Sequence, residues 1–539
     1  MNHHRPARRK VGVALAAVTA LVLAVGVSAA LGDGDPMPID YSHNAINTPA
    51  PVTNAVFGQS PSVKTGTAIC TTGPQTGPNY NTDCEGQTAT YGGPHNETSI
   101  AVNPTDANNM IGGANDYQLA LNPAGQVSET VLSRAHVTFD GGKTWSNYPV
   151  FGNNAYQGTG DPALAFDADG RAYYGTLGFR FVGPFNATNP DVLVSTSGDG
   201  GKTWDVHRVA AGSGNEGSVG DLLDKEWVAA WGHGNAIVTY GDFRANGPGA
   251  FSTARIYDSV THDGGRHWSA PTLISGSLDQ SFVSVPTVAA DGSIYVAFMN
   301  TDDLSTGRDD YKVVKVDPAT GAPLTAPVDV GLVYDGFTDY PIAFGRQTYQ
   351  DSVFRSWAAG NITADPTDAS HLAVVWTDMR NSPRPAPANP YAAVTNSDVV
   401  VSESTDGGAH WSAPQAVALA GDQFMPWGAF DVNGTLRIGT FDRSGDAANH
   451  KYDYSVLTGP GFARTVVTTV QSDPTTNDRW FARNVNTAFP FATAFLGDYS
   501  NIAATADGGV VAYWTDMRNQ ACFAGSCRSG EDAYFGKTG

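Results

Sequence analysis

Residues Thr138–Trp145 read TFDGGKTW. The string returns as SGDGGKTW at Ser197–Trp204, THDGGRHW at Thr261–Trp268 and STDGGAHW at Ser404–Trp411. The repeated pattern is S/T-x-D-G-G-x-T/H-W. Its aspartates, Asp140, Asp199, Asp263 and Asp406, stand 59, 64 and 143 residues apart, the last interval being about two periods. An Asp followed by two glycines is a turn signal. The carboxylate accepts from backbone N–H groups just downstream, and glycine adopts positive φ without steric cost. Strand-like runs precede each copy (AHVTF, DVLVSTS, IYDSVT and DVVVSES). The string is therefore expected to join two strands of a hairpin and to bury its Trp between neighbouring sheets.

A second repeat surrounds the first. Segments 97–116, 161–179, 225–243, 285–303, 359–380, 426–443 and 498–518 each read as an apolar strand, a Gly/Asp/Asn turn and a second apolar strand with an acidic end. Those at 285, 426 and 498 carry no DGG string after them. With 61 Gly, 32 Pro and only 15% charged residues, and no sustained helical period beyond the N-terminus, the chain reads as all-β. Repetition at this spacing predicts a β-propeller of four-stranded antiparallel blades, seven in number, with six as the alternative. The last unit ends in EDAYFG as its third strand, so its fourth must come from elsewhere; the stretch Pro51–Gln59 is the expected donor. DADG at Asp167–Gly170 reads as the first hairpin turn and not as a calcium loop, because the later ligands of such a loop are missing.

The N-terminus reads as a targeting segment. Arg5, Arg8, Arg9 and Lys10 precede the apolar run Val11–Ala30, which ends in small residues. Residues 1–30 are expected to be a signal peptide or an N-terminal anchor, 31–94 a Pro/Thr/Asn/Gly-rich extension, and 95–539 the propeller. The chain is then secreted, or membrane-anchored by that segment alone. Removing residues 1–30 takes away four positive charges and moves the net charge from −21 to −25. Such a balance excludes nucleic acid as a partner. Cys70 with Cys84 and Cys522 with Cys527 are expected to form local disulfides, with cross-pairing of the two chain ends as the alternative. No metal and no cofactor are expected, and the protein is expected to be a monomer.

The S/T-x-D-G-G-x-T/H-W pattern resembles the Asp box, or BNR repeat, of sialidases and related β-propeller proteins. The resemblance implies that the box joins the third and fourth strands of a blade, on the rim away from the active face. It implies a sialidase-like glycoside hydrolase acting on terminal sugars, with a glycan or glycoconjugate as partner. The alternative is a non-catalytic propeller that binds glycan or protein at the channel mouth. Sialidases use a Tyr nucleophile with a Glu, an Asp as acid/base, and three arginines for the substrate carboxylate. The (F/Y)RIP segment that supplies the first of those arginines is absent here.

The string WTDMRN occurs twice, at Trp376–Asn381 and Trp514–Asn519, each time at the end of a second strand. YGDFR (Tyr240–Arg244) and TFDR (Thr440–Arg443) hold the same place. One reading is structural: Asp and Arg two apart pair and tie down a loop. The other has Arg244, Arg380, Arg443 and Arg518 converge on the channel to bind a carboxylate bidentately. The facing loops offer Tyr499 or Tyr117 as the Tyr, Glu97 or Glu226 as the Glu, and Asp161 or Asp224 as the Asp. Asp498 is a further substrate-binding candidate.

Overall fold

The computed structural model describes residues 66–84, 94–121, 127–151, 156–183, 186–215, 220–247, 250–301, 308–336, 338–343, 346–474, 495–523 and 526–538. The expected leader, residues 1–30, and the closing strand expected at Pro51–Gln59 lie outside the described residues.

The DGG turn has the chemistry its residues dictate. Asp140 Oδ1 accepts from the N–H groups of Lys143 (2.9 Å) and Thr144 (3.0 Å), and the Thr138 hydroxyl accepts from Gly142 N–H (2.9 Å). Gly141 and Gly142 take φ of 74° and 96°. The second glycine answers a further need, because a Cβ on Gly142 would lie 2.3 Å from the Phe535 ring. Asp199, Asp263 and Asp406 repeat the arrangement, accepting from Thr203, His267 and His410 N–H at 2.9, 3.0 and 2.9 Å. Each turn joins the third and fourth strands of a sheet: Val127–Thr138 to Ser146–Pro149, Asp191–Ser197 to Asp205–Ala210, Ala250–Thr261 to Thr272–Leu273, and Asp398–Ser404 to Gln415–Val417. Trp145 and Trp204 are buried as expected, whereas Trp268 and Trp411 are only half-buried.

Seven antiparallel sheets follow one another along the chain and form a propeller ring. Their innermost strands are His95–Val102, Gly158–Phe166, Gly220–Trp231, Ser281–Val288, Asn361–Ala364, Gln423–Phe430 and Asn501–Ala504. We number the blades 1 to 7 in that order. Second strands are apolar on both faces because a blade lies on either side; Ala172–Phe179, Ile294–Asn300, Leu372–Asp378 and Val510–Asp516 are buried along their whole length. A short 3-10 turn, Pro390–Ala392, lies among these strands.

Ring closure falls to the N-terminal extension, but at a place the sequence reading did not choose. The fourth strand of blade 7 is Asn79–Asn81, paired antiparallel with Asp532–Thr538. Just upstream, Cys70–Thr71 adds a fifth strand to the outer edge of blade 1. The disulfide Cys70–Cys84 closes the short loop between these two attachments. One covalently closed loop thus touches both the first and the last blade. At the other cysteine pair, the backbone register sets Cys522 opposite Cys527 in a two-stranded hairpin.

Candidate functional site

Sevenfold repetition places one residue per blade at the same height. Ser99, Ala163, Trp227, Val285, Asn361, Trp427 and Asn501 mark where each innermost strand takes up unbroken pairing with its second strand. Two residues earlier stand Glu97, Asp161, Lys225, Val283, Ala359, Met425 and Tyr499. In blades 1, 2, 3, 4 and 6 the register slips at this point, and the residue is left-handed: Glu97 at φ 52°, Asp161 at 59°, Lys225 at 54°, Val283 at 54° and Met425 at 49°. Bulges with this backbone favour glycine. Side chains held there cost on the order of 1–3 kcal/mol each, a strain that clusters at working sites.

Six of the seven, Asp161, Lys225, Val283, Ala359, Met425 and Tyr499, line a single cavity together with Glu226, Trp227, Trp357, Trp427 and Asp498. The seventh, Glu97, lies 3.5 Å from Lys225. Blades 7, 1, 2 and 3 give this ring its polar half, and blades 4, 5 and 6 its apolar half. The enclosed free volume is about 30 Å³, roughly one or two waters. Its rim is formed by Val283, Trp357 and Tyr499, which are half-buried. The Trp227 and Trp427 rings lie 4.3 Å apart, and Tyr499 meets Trp227 edge-on.

Lys225 is the hub of the polar half. Its Nζ lies 2.7 Å from Asp161 Oδ2 and 2.7 Å from Asp498 Oδ2. Arg355 grips Asp498 bidentately at 2.8 and 2.5 Å. Asn115 donates to Glu97 Oε2 (2.6 Å), and Asp498 N–H donates to Glu97 Oε1 (3.2 Å). Against the cost of its burial, Arg355 and then Lys225 hold the Asp498 carboxyl at about 2. Burial pushes three neighbouring acids, Asp224, Glu97 and Glu226, the opposite way. Asp224 rises to about 7, and Glu97 goes well above the usual carboxylate range with Asp161 adding to the effect. Glu226 is also raised well above that range, first by burial and then by Asp161. Two carboxylates keep unused oxygens: Asp161 Oδ1 and both oxygens of Glu226 are buried with no hydrogen-bond partner. Tyr499 donates to the Pro162 carbonyl (3.0 Å), and burial plus the nearby carboxylates keep its phenol protonated.

The acidic and tyrosine candidates therefore meet: Glu97, Asp161, Tyr499 and Asp498 surround Lys225, with Asp224 and Glu226 flanking it in the same strand. Tyr117 is buried in the second strand of blade 1 and is not among the cavity's lining residues.

The expected convergence of arginines is corrected. Arg380 returns to Asp378 (2.7 and 2.9 Å) and Arg518 to Asp516 (2.6 and 2.8 Å). Arg244 pairs with Asp221 at 2.6 Å, and Arg443 is fully buried against Asp422 at 3.3 Å. The reason is spacing: Asp378 and Asp516 also accept the N–H of the arginine two residues on, so the guanidinium meets its partner before it can reach the channel. The site's cations are Lys225 and Arg355, which the motif reading passed over in favour of repeated arginines. Trp227 and Trp427 were also missed. Both follow the repeated bulge at the same register, a signal visible only once the units are aligned.

No family profile matches the chain, and no curated protein sequence matches it. Among solved structures, a Hadza microbial sialidase shows 12% identity over 77% of this chain and 73% of its own, at a TM-score of 0.40. An alpha-L-arabinanase of Penicillium chrysogenum, solved with arabinobiose, shows 12% identity over 86% and 98%, at 0.41. A Dyadobacter fermentans protein of unknown function shows 11% identity over 86% and 98%, at 0.43.

Proposed function

We propose that the protein is an exported glycoside hydrolase that acts on terminal sugars at the channel mouth. One observation carries this reading: Glu226, buried beside Asp161 and the tryptophans of the cavity, has no hydrogen-bond partner for either carboxylate oxygen. Glycoside hydrolysis uses two carboxyl groups across the bond, one of them a proton donor whose pKa is raised. Glu226, raised by burial, is the proton donor. Asp161, with Lys225 on Oδ2 and Oδ1 unspent, is the carboxylate that faces the sugar or its attacking water. Trp357 and the Trp227–Trp427 pair supply flat apolar surface for the sugar ring, the usual composition of a small-molecule site. The Cys70–Cys84 disulfide fits an oxidising compartment.

A panel of fluorogenic glycosides, a sialoside among them, tests the proposal. Wild type is expected to release the fluorophore from at least one member, and Glu226→Gln to lower kcat by about 10²–10⁴-fold. The rate should fall as pH rises through the elevated Glu226 value. The second reading, a glycan-binding propeller, is favoured by the small cavity and by cations already paired to the protein's own acids. Flat signal across the panel with retained glycan binding would select it.

A further inference from the structure

A second buried cluster lies away from the cavity, at the seam where blade 7 meets blade 1. Asp83 stands on the segment just after the ring-closing strand, His95 opens the innermost strand of blade 1, and His136 lies in that blade's third strand. One ligand atom from each falls within 4.8 Å of the others, and none of the three residues is more than 1% exposed.

We propose that Asp83, His95 and His136 form a structural site for a divalent cation of the zinc class, which locks the ring-closing segment onto blade 1.

Two features support it. First, the His136 imidazole is oriented as a ligand is. A ligating histidine has its second nitrogen fixed by a hydrogen bond. Nδ1 of His136 is held by the Thr82 hydroxyl (2.9 Å) and the Tyr513 hydroxyl (2.8 Å), while Nε2 is buried with no hydrogen-bond partner. Both ring nitrogens of His95 are buried, and its Nε2 faces the Asp83 and Asp116 carboxylates. Second, the carboxylates are aimed. Asn147 donates to Asp83 Oδ1 (3.0 Å), which lies 3.6 Å from His95 Nε2, and Asp116 Oδ1 lies 3.2 Å from the same nitrogen. Two imidazoles and a carboxylate suit zinc, whereas calcium and magnesium require more oxygen ligands. Sequence alone pointed away from a metal because no local His/Cys motif exists; these ligands come from three separate segments.

The full-length, disulfide-oxidised protein, loaded with zinc and dialysed into metal-free buffer, is the sample to test. About one equivalent of zinc per chain should remain. Chelation should lower Tm, zinc should restore it, and magnesium should not. Cobalt substitution should give visible absorption bands. Because His136→Ala removes a buried ring and can unfold the seam by itself, the shape-conserving Asp83→Asn is the deciding variant, and it should lose the metal while remaining folded. Retention of no zinc overturns the proposal, with Tm then insensitive to chelator. Equal retention by Asp83→Asn also overturns it, by placing the ion elsewhere.

Discussion

Asp258 shows how one residue can work against the fold that contains it. It lies fully buried in the third strand of blade 3, and neither carboxylate oxygen has a hydrogen-bond partner. Burial alone pushes its carboxyl up to about 8. The sign follows directly. The unfolded chain releases this proton near pH 4 and the folded chain keeps it, so stability falls as pH rises from about 4 to about 8 and is flat beyond. Asp258→Asn is expected to raise stability by a few kcal/mol at about pH 8 and to leave it nearly unchanged at about pH 4. Melting curves of both proteins at the two pH values check this; equal shifts at both would show that the side chain is ionised or otherwise satisfied. Nothing in IYDSVT marks the position as buried, because the same letters suit an exposed strand edge.

At the scale of the element, WTDMRN is a clamp between blades. In both copies the Trp indole donates to its Asp Oδ2, at 3.1 Å in Trp376 and 2.9 Å in Trp514. The arginine then reaches outward to two outer segments. Arg380 donates to the carbonyls of Leu332 and Pro414, and Arg518 to Asn79 and Thr469. Each Trp ring lies against a tyrosine of the preceding blade, Tyr311 and Tyr454. The string is duplicated because the same three-way contact is built twice. Arg380→Ala and Arg518→Ala should each cost roughly 1.5–3 kcal/mol. Their effects should add, because the two clamps share no partner. Turnover should be unchanged. Denaturant midpoints at constant m-value measure the cost, and a loss of glycan binding without loss of stability would return these arginines to the site. The D-x-R spacing left both roles open, since a spacing does not say which way a guanidinium turns.

Over the whole molecule, the ring is closed by a segment that precedes blade 1, whereas the blades otherwise follow one another along the chain. Blade 7 takes its outer strand from Asn79–Asn81, and the loop carrying that strand is tied by Cys70–Cys84 to a strand on blade 1. Replacing both cysteines by serine should cost about 3 kcal/mol for a loop of this length. Amide exchange should quicken first in Asp532–Thr538 and Ser146–Pro149, the strands this loop covers. Exchange that quickens evenly around the ring would show that closure does not depend on the loop.

What the sequence settled by itself is what neighbours along the chain decide. Turn chemistry at Asp140, Asp199, Asp263 and Asp406, and the strand pairs repeated from 97 to 518, specify hairpins, and seven such units specify the ring. Tertiary structure alone decided which N-terminal segment closes it, since Asn79–Asn81 carries no signal beyond its partner Asp532–Thr538. It also decided the site. Glu97, Asp161, Lys225, Arg355 and Asp498 lie far apart in the chain and become one charge network only when the blades meet. The left-handed bulges that hold Glu97, Asp161 and Lys225 are backbone states that non-glycine residues do not adopt unaided and that packing must impose.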